Sequence, residues 1–556
     1  MLLLAELTAP PLQPGPVRLP SASPAELRDA KPRSQPPPPA LEPEIQPPAP
    51  LVPAPGSPVA PAPTVQGFLP YRAAVLEEIL TPCRSIPAPA ERLPACAAAL
   101  LARLFRDGYI NTRVLPRQDP APGLLVVEPG RIERIDVISS SPRLQRRVNR
   151  LIQPLQGDVL HLPSLTASLG QLQRLPGVGR LRSSLNRVGR DSTRAVLLIT
   201  VDPSNRALRG ELSLRNDGNA GSGQFRGVGT LVQQDLTIGG DTFLLFAELN
   251  SDSGPELGYS SASLSYSLPL SDQLSLSVAG GVSRRTLVEA DPPFHDLSFR
   301  QQQLYGQFDV ALHEDLGHRL YAFAGISVNR NDAFLAGDRV AVLAGGGEDA
   351  WVRSSYARLG VGLEIFRPTF TLEGSLYGLQ ALAGVTPESQ RQELEYLGIN
   401  VSAARAIGSQ VSLSWFAAPR WLLQLRLAGQ AALRPLTNPM GFSLGSDNGL
   451  RGLPGQVISG DSGVLASAEL AGLVWSGKSQ SLHLVPFFGA GNVWSDVPGA
   501  TLSDSIGAGG LLLRWSQGRH GVVELGWVKQ FQTETRPFWD QWILGSGVYT
   551  KLTYRF

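Results

Sequence analysis

The sequence predicts a membrane β-barrel of about 16 antiparallel strands, preceded by two small α+β domains and a Pro-rich N-terminal segment. Three observations lead to this fold class. From about residue 206 to the end no helical period persists, and alternating runs are separated by clusters of Gly, Asn, Asp and Ser. No segment approaches the roughly 20 uninterrupted apolar residues of a membrane-spanning helix. The last residues, 548–556, alternate apolar with polar side chains and end on an aromatic residue.

The C-terminal run is typical of the closing strand of an outer-membrane barrel. Successive side chains of a strand face opposite sides. One set is therefore expected to face lipid, namely Val548, Leu552, Tyr554 and Phe556, and the other a wet lumen, namely Tyr549, Lys551, Thr553 and Arg555. For this window alone, an amphipathic strand of a soluble sandwich stays open as an alternative.

Similar runs recur through the barrel region and give the strand number. They lie at residues 208–215, 242–249, 261–268, 274–278, 304–312, 320–328, 356–365 and 522–529. The region from 205 to 556, at roughly 22 residues per strand and turn, accommodates about 16 strands, which leaves an aqueous channel. A large soluble sandwich or propeller is the alternative, but long polar stretches such as 336–348 favour loops on one rim.

The N-terminal segment, residues 1–65, is dominated by Pro and Ala and predicts an extended linker. Within it, a capping-box Ser and Glu around Pro24 allow one short helix over 24–31. A disordered tail with chance capping residues is an equally good interpretation. The first six residues lack the basic part and full apolar core of a secretory signal, so we expect that the start has been clipped.

Residues 66–204 have the texture of two similar α+β modules in tandem, over 66–131 and 132–204. Apolar positions at helical spacing predict a helix over 95–105, with Gly108 as its C-cap. Strands are predicted over 109–115, 123–127 and 130–137. The pattern then recurs, with helices near 144–155 and 165–175 and a strand over 195–201.

Composition excludes several classes of function. Lys+Arg 49 against Asp+Glu 47 is too even for a nucleic-acid-binding surface. Cys83 and Cys96, with six His in the chain, are too few ligands for a zinc site, so no metal is expected. In an oxidising compartment the two cysteines can form a disulfide, and a pair of free buried thiols is the alternative. No phosphate loop or catalytic triad has a supporting context, so no cofactor and no catalytic residue is expected.

Several motifs resemble one family. Residues 105–114, Gln118 and 123–130 resemble a first POTRA domain, and the second module resembles a second one. Asn216, Asp217 and Gly218, followed by Arg226 and residues 239–241, are similar to an opening barrel hairpin. The most specific motif is Leu450-Arg451-Gly452-Leu453, followed by 459–463 and Glu469, which resembles the "VRGY" tip of a loop that folds back into the lumen. The chain thus resembles the outer-membrane transporters of two-partner secretion (TpsB), which export haemolysins and filamentous haemagglutinins, within the POTRA-plus-barrel superfamily.

One motif departs from that family. The barrel-wall motif Phe-x-Asp-x-Gly corresponds here to Phe487, Gly489 and Gly491, so the aspartate that would pair with Arg451 is missing. A buried guanidinium without an anion is costly, so Arg451 must find another partner or sit in water; Glu469 is the candidate. Leu453 replaces the tyrosine, which removes its stacking. A plain surface turn is the alternative for Arg451-Gly452.

The resemblance implies a transporter rather than an enzyme, located in the outer membrane with its POTRA domains in the periplasm. Its expected partners are an unfolded secreted exoprotein, outer-membrane lipid and the barrel-assembly machinery for its own insertion, with no nucleic acid. A POTRA sheet edge would accept the exoprotein by β-augmentation, and the loop carrying Arg451 would occupy the lumen at rest. Tyr554 and Phe556 would form the C-terminal barrel signature. Assembly of other membrane proteins is the alternative function, and a passive porin ranks last.

Overall fold

The computed structural model describes most of the chain after the N-terminal segment. The described residues are 60–86, 88–119, 122–173, 175, 177–189, 191–203, 208–237, 240–290, 294–367, 369–497, 500–532 and 539–556. The helix expected over 24–31 lies outside these residues. So does the expected boundary between the second module and the barrel at 204/205.

The first α+β module is a three-stranded sheet with two helices. Its elements are β1 (Thr64–Gly67), α1 (Ala73–Arg84), α2 (Pro89–Arg106), β2 (Arg113–Arg117) and β3 (Leu124–Glu128). The sheet order is β1-β3-β2, with β1 parallel and β2 antiparallel to β3. Helix α2 ends because Gly108, two residues beyond it, takes a φ of 96°, a left-handed conformation that glycine tolerates best. The apolar face of α2 is buried with β3 in the module core.

The second module repeats this topology. Its elements are β4 (Arg131–Ser139), α3 (Pro142–Ile152), α4 (Leu162–Leu172), β5 (Val178–Val188) and β6 (Asp191–Pro203), in the sheet order β4-β6-β5. A short 3-10 turn, Gln153–Leu155, extends α3. Ser141 caps α3 by accepting from Leu144 N, and Leu144, Val148 and Leu151 are buried on one side of the helix. Proline at the first helical position needs no N–H partner there.

The rest of the chain forms one closed antiparallel barrel of 16 strands, as predicted. The barrel strands are β7 (Leu208–Arg215), β8 (Phe225–Gln234), β9 (Thr242–Ser251), β10 (Leu257–Pro269), β11 (Leu274–Thr286), β12 (Leu297–Glu314), β13 (His318–Leu335), β15 (Trp351–Phe366), β16 (Phe370–Ala381), β17 (Arg405–Ala418), β18 (Trp421–Ala432), β21 (Ser462–Ser476), β22 (Gln480–Val497), β23 (Ala500–Gln517), β24 (Gly521–Gln532) and β25 (Val548–Arg555). Each run proposed from the sequence lies within one of these strands. A two-residue strand, β14 (Asp338–Arg339), pairs antiparallel with the end of β13, and helix α5 (Glu388–Tyr396) lies between β16 and β17.

The barrel closes where β25 pairs with β7. Five residue pairs form this seam, from Lys551–Arg215 to Arg555–Glu211. The backbone of Phe556 exchanges hydrogen bonds with Gly210, and the Phe556 ring covers Gly210 so closely that a side chain there would clash. On β25, Tyr549 and Thr553 are buried whereas Leu552 and Tyr554 are half exposed. We call the rim where β7 begins and β25 ends the terminal rim, and the other the opposite rim.

Some elements differ from the sequence prediction. The strand predicted over 109–115 is observed as β2, which begins later, at Arg113, and the strand predicted over 130–137 is observed as β4 over Arg131–Ser139. Helix α1 and strand β5 were not predicted. Helix α1 contains Pro82, and β5 carries Arg and Ser without apolar alternation, so neither has the usual pattern of its element. Among the described residues, none of the helices is long and apolar enough to cross a membrane.

Candidate functional site

The loop between β18 and β21, residues 433–461, folds back into the barrel, and we call it the lumen loop. It leaves the opposite rim and contains a short hairpin of β19 (Phe442–Leu444) and β20 (Ile458–Gly460). This hairpin packs against the inner face of β21, β22 and β23. The sequence-predicted motif 450–453 therefore lies at the tip of a loop inside the barrel rather than in a surface turn.

Two glycines of the barrel wall make room for two leucines of the lumen loop. A side chain at Gly489 would come within 2.8 Å of Leu450 Cδ2, and one at Gly491 within 2.7 Å of Leu444 Cδ2. Leu444 and Leu450 are fully buried in one apolar cluster, which also contains Phe487. The position where the family has an aspartate is thus filled by the loop itself, because an apolar side chain takes the space that a carboxylate would need.

Arg451 is held by two glutamates on different strands. Its Nε donates to Glu469 Oε1 and its Nη1 to Glu524 Oε2, both over 2.7 Å. Nη1 also lies 3.5 Å from the hydroxyl of Tyr549. Glu469 is on β21, Glu524 on β24 and Tyr549 on β25, so one guanidinium joins three barrel strands. Forked, charge-assisted bonds of this kind are among the stronger polar interactions in proteins.

A second arginine balances the charge of this group. Arg514, on β23, donates from Nε to Glu524 Oε1 at 2.5 Å, and its Nη2 lies 3.6 Å from Glu469 Oε2. Two guanidinium groups and two carboxylates therefore alternate around one centre. We call Arg451, Arg514, Glu469 and Glu524 the Arg451 cluster. It supplies the anions that the missing aspartate at Gly489 does not.

Glycine is required next to Arg451 by both conformation and space. Gly452 has a φ of 84°, and a side chain on it would lie 2.5 Å from Val528 on β24. Its carbonyl accepts from Gln530 Nε2 at 2.8 Å. Leu453, in the place of the family's tyrosine, is fully buried in the same apolar cluster as Leu450. The tip of the lumen loop is thus held both by the apolar packing of Leu450 and Leu453 and by the ion pairs of Arg451.

Sequence reasoning selected Glu469, which the structure places against Arg451, but missed Glu524, Arg514 and Tyr549. Each of these residues lies on the lumen side of a strand. For Glu524 and Arg514, burial of the charge requires a partner of opposite charge. Glu524 falls within the run 522–529 that was predicted as a strand. A survey of charged residues on the lumen-facing positions of predicted strands would have found it, but not its pairing with Arg451.

The other candidate residues belong to the first module and to the C-terminal strand. Cys83, at the end of α1, and Cys96, in α2, form a disulfide with their Cα atoms 5.1 Å apart, buried in the core of the first module. Tyr554 and Phe556 are half exposed on the outer surface near the terminal rim, with ring centroids 6.3 Å apart.

One group among the described residues has the atoms to bind a metal. Glu256, His295 and Asp296 place one ligand atom each within 4.8 Å of one another, on two loops of the opposite rim. All three side chains are exposed, and nothing else in the structure selects this group over ordinary surface charges.

Comparison with known proteins identifies the family. Residues 194–510, more than half of the chain, match the family "Haemolysin secretion/activation protein ShlB/FhaC/HecB". Among solved structures, CdiB from Escherichia coli is similar at 17% identity and a TM-score of 0.58, covering 90% of each chain. CdiB from Acinetobacter baumannii is similar at 15% identity and a TM-score of 0.51, covering 90% of this chain and 89% of that one. No curated protein matches the sequence significantly. The chain therefore belongs to the ShlB/FhaC/HecB family of haemolysin secretion/activation proteins and is a two-partner secretion transporter of the outer membrane, with its POTRA domains in the periplasm.

Proposed function

We propose that the chain recognises an unfolded partner exoprotein through its POTRA domains and exports it through the barrel lumen. The observation that carries this proposal is the lumen loop, which packs inside the barrel through buried apolar side chains and is also held there by ion pairs. A loop held by apolar packing alone would gain nothing from water, whereas separated ions are hydrated when substrate or water reaches them. The loop thus occupies the path at rest and can leave it.

A recognition surface is available on the second POTRA domain. The side chain of Gln173 bonds to two backbone groups of β5, with Nε2 donating to Gly179 O and Oε1 accepting from Leu181 N. Backbone groups alternate in direction along a strand, so Ser183 and Leu185 direct theirs to the same edge. Among the described residues no backbone partner meets them there.

This open edge supports β-augmentation. The carboxamide of Gln173 occupies the first position as an incoming peptide group would, and the next positions are free to pair with an extended segment. The corresponding edge strand of the first domain, β2, is shorter and contains Pro116, which has no N–H to donate. We therefore assign the larger share of backbone recognition to β5.

Other partners follow from the surface of the barrel. Leucine, tryptophan and phenylalanine side chains are exposed on its outer face, as contact with outer-membrane lipid requires. We expect the barrel-assembly machinery to insert it. Because β7 follows the periplasmic domains directly in the chain, the terminal rim faces the periplasm and the opposite rim faces outward. No enzymatic step enters this proposal.

Co-expression tests the function. The full-length chain, behind a competent signal peptide, is produced with a candidate large exoprotein from the same organism, and the medium is assayed for that protein. Chain-dependent release supports secretion of a partner. Retention of the partner by a correctly inserted barrel would instead favour an assembly factor for other membrane proteins.

A matched pair of variants tests the edge. Ser183→Pro removes one free donor of β5, whereas Ser183→Ala leaves the backbone intact. We expect export to fall several-fold with proline and to stay unchanged with alanine, since each lost backbone hydrogen bond is worth about 1 kcal/mol. Equal export by both variants, with both domains folded, would exclude pairing at this edge.

A further inference from the structure

The lumen loop has a second charged contact, to a buried arginine of the barrel wall, that the Arg451 cluster does not include. Asp447 lies in the short 3-10 turn Ser446–Asn448, four residues before Arg451. Its Oδ1 forms an ion pair with Arg226 Nη1 over 2.5 Å, and Arg226 Nη2 donates to Glu248 Oε2 over 2.7 Å. Arg226 is on β8 and Glu248 on β9, each with its side chain only 5% exposed. We call Asp447, Arg226 and Glu248 the Arg226 cluster.

Backbone contacts bring the same part of the lumen loop onto the first barrel hairpin. Gly455 N donates to Gly218 O over 2.8 Å. A side chain on Gly455 would collide with Asn219 and come within 2.9 Å of Arg226 Nη1. Asn219 in turn lies 3.5 Å from Glu248 Oε1. The loop therefore docks against residues 216–224, which connect β7 to β8, and not only against the wall near Arg451.

The two clusters lie on the two sides of the closing seam. Arg451 holds the side that ends the chain, through Glu524 on β24 and Tyr549 on β25. Asp447 holds the side that begins the barrel, through Arg226 on β8. Between them the seam has five residue pairs, against seven between β24 and β25 and eight between β7 and β8. Asn216 also crosses it, with Nδ2 donating to Val548 O and Oδ1 accepting from Thr550 N.

We propose that Asp447, Arg226 and Glu248 form a second tether of the lumen loop, and that the two tethers clasp the inner face of the seam. The loop then leaves the lumen only when both tethers release. Arg226 and Glu248 are buried, whereas the side chain of Asp447 is 32% exposed. Each tether places a charged group of the loop against a buried or half-buried counter-ion, so each is costly to break in the closed state and regains hydration once opened. The consequence for export rests on the proposed function, whereas the tether itself can be tested without export.

Trypsin added outside the cell reports release of the loop. Cleavage after Arg451 yields a fragment of residues 452–556, and a protease cannot reach Arg451 inside the barrel. We expect Asp447→Asn to raise the cleavage rate about tenfold, which corresponds to about 1.4 kcal/mol. Asp447→Glu should restore most of the protection. The matched control is Asp338→Asn, which removes an exposed carboxylate on another loop of the same rim.

A second variant covers the case in which Asp447→Asn does not insert. Arg226→Lys keeps the charge beside Glu248, but a single ammonium lacks the fork that spans both carboxylates, so cleavage should again rise above that of the parent chain. Protection unchanged in a heat-modifiable, correctly folded Asp447→Asn or Arg226→Lys barrel would overturn the second tether. Rapid cleavage of the parent chain after Arg451 would do so too.

The same variants are assayed for secretion, which separates the two proposals. Released loops with unchanged export would leave the tether standing and count against the loop as a gate. Protected loops together with lost export would count against the tether and leave the proposed function untouched.

Discussion

The two tethers of the lumen loop differ in how their charges are balanced. In the Arg451 cluster two guanidinium groups face two glutamates, and each arginine reaches both of them. In the Arg226 cluster one guanidinium faces two carboxylates, and the next cation, Arg215, is already paired with Asp217. Loss of Arg451 therefore leaves Arg514 as a counter-ion, whereas loss of Arg226 removes the cation that pairs with the buried Glu248 and the partly exposed Asp447. We therefore expect the Arg451 cluster to release the lumen loop more easily than the Arg226 cluster does.

The largest effect is expected at Arg451. Arg451→Ala removes the link from the loop to three strands, but Arg514 still neutralises Glu469 and Glu524, so the barrel should fold. Loss of two charge-assisted bonds, each worth roughly 1.5–3 kcal/mol, leaves the loop tip without a fixed position on the barrel wall. We expect this to abolish export, because the gate then no longer has a defined closed state from which substrate can displace it. Partner protein in the medium is measured against heat-modifiable barrel in the membrane. Normal export by an inserted variant would refute the gating role.

Substitution of Arg226 tests the charge balance of the second cluster, and the quantity measured is the free energy of unfolding. Removing one partner of a buried ion pair costs about 3–5 kcal/mol, so Arg226→Gln should lower the free energy of unfolding by that order. The matched change is Arg514→Gln, which leaves Arg451 between the two glutamates and should cost clearly less. Urea unfolding of the full chain in detergent gives both values. Equal losses would show that charge balance does not distinguish the clusters.

The disulfide allows a change in a domain that contains neither tether. Replacing Cys83 and Cys96 by Ser should destabilise the first POTRA domain by roughly 2–4 kcal/mol and leave protection of Arg451 from trypsin unchanged. Limited proteolysis of the full chain follows the domain. In the parent chain, alkylation should add mass only after reduction. Two thiols that react without reductant would disprove the bond.

The smallest effect is expected from a change of pH. It should affect only the docking of the lumen loop on residues 216–224, next to the Arg226 cluster. Glu289, on the loop between β11 and β12, accepts from Gly221 N over 3.1 Å and from Trp542 Nε1 over 2.8 Å. Burial raises the pKa of Glu289 to about 7. The folded state therefore keeps a proton that the unfolded state releases, and stability falls as the pH rises from the usual carboxyl range through 7.

Residues 216–224 should accordingly be held more tightly at pH 6 than at pH 8. The difference in cleavage after Arg451 is expected to be about threefold, and Glu289→Gln should abolish it. Pairing at the Arg451 cluster does not involve Glu289. A pH effect of the same size in Glu289→Gln would assign it to another group.

The sequence predicted the barrel well because each strand alternates side chains that face lipid with side chains that face the lumen, and this alternation can be read from the strand alone. Alternation in the run 548–556 follows from local geometry, and so do the exposed Leu552 and the buried Thr553. The α+β modules were less complete, since β5 has Arg at positions where a strand usually carries apolar residues. In β5 the hydrogen-bonded pairing with β6 outweighs the low intrinsic strand propensity of its residues.

The candidate site was predicted only where its residues are close in sequence. Arg451, Gly452 and Glu469 lie within one motif and the strand after it. Glu524 is 73 positions from Arg451, and its approach depends on how the barrel closes. The sequence analysis singled out Arg226 in the first barrel hairpin. Its partner Asp447 lies on the lumen loop, far from Arg226 in the sequence. No local pattern encodes such a pair.

The seam also determines the order in which this protein can fold. Arg555 Nε donates to Glu211 Oε2 over 2.8 Å, and the two residues are 344 positions apart. The entropy of closing a loop grows with its length, so local hairpins form early and this high-contact-order pairing forms late. Until then the nascent barrel is an open sheet with two unpaired edges. That intermediate is the species most exposed to aggregation on the way to the native state.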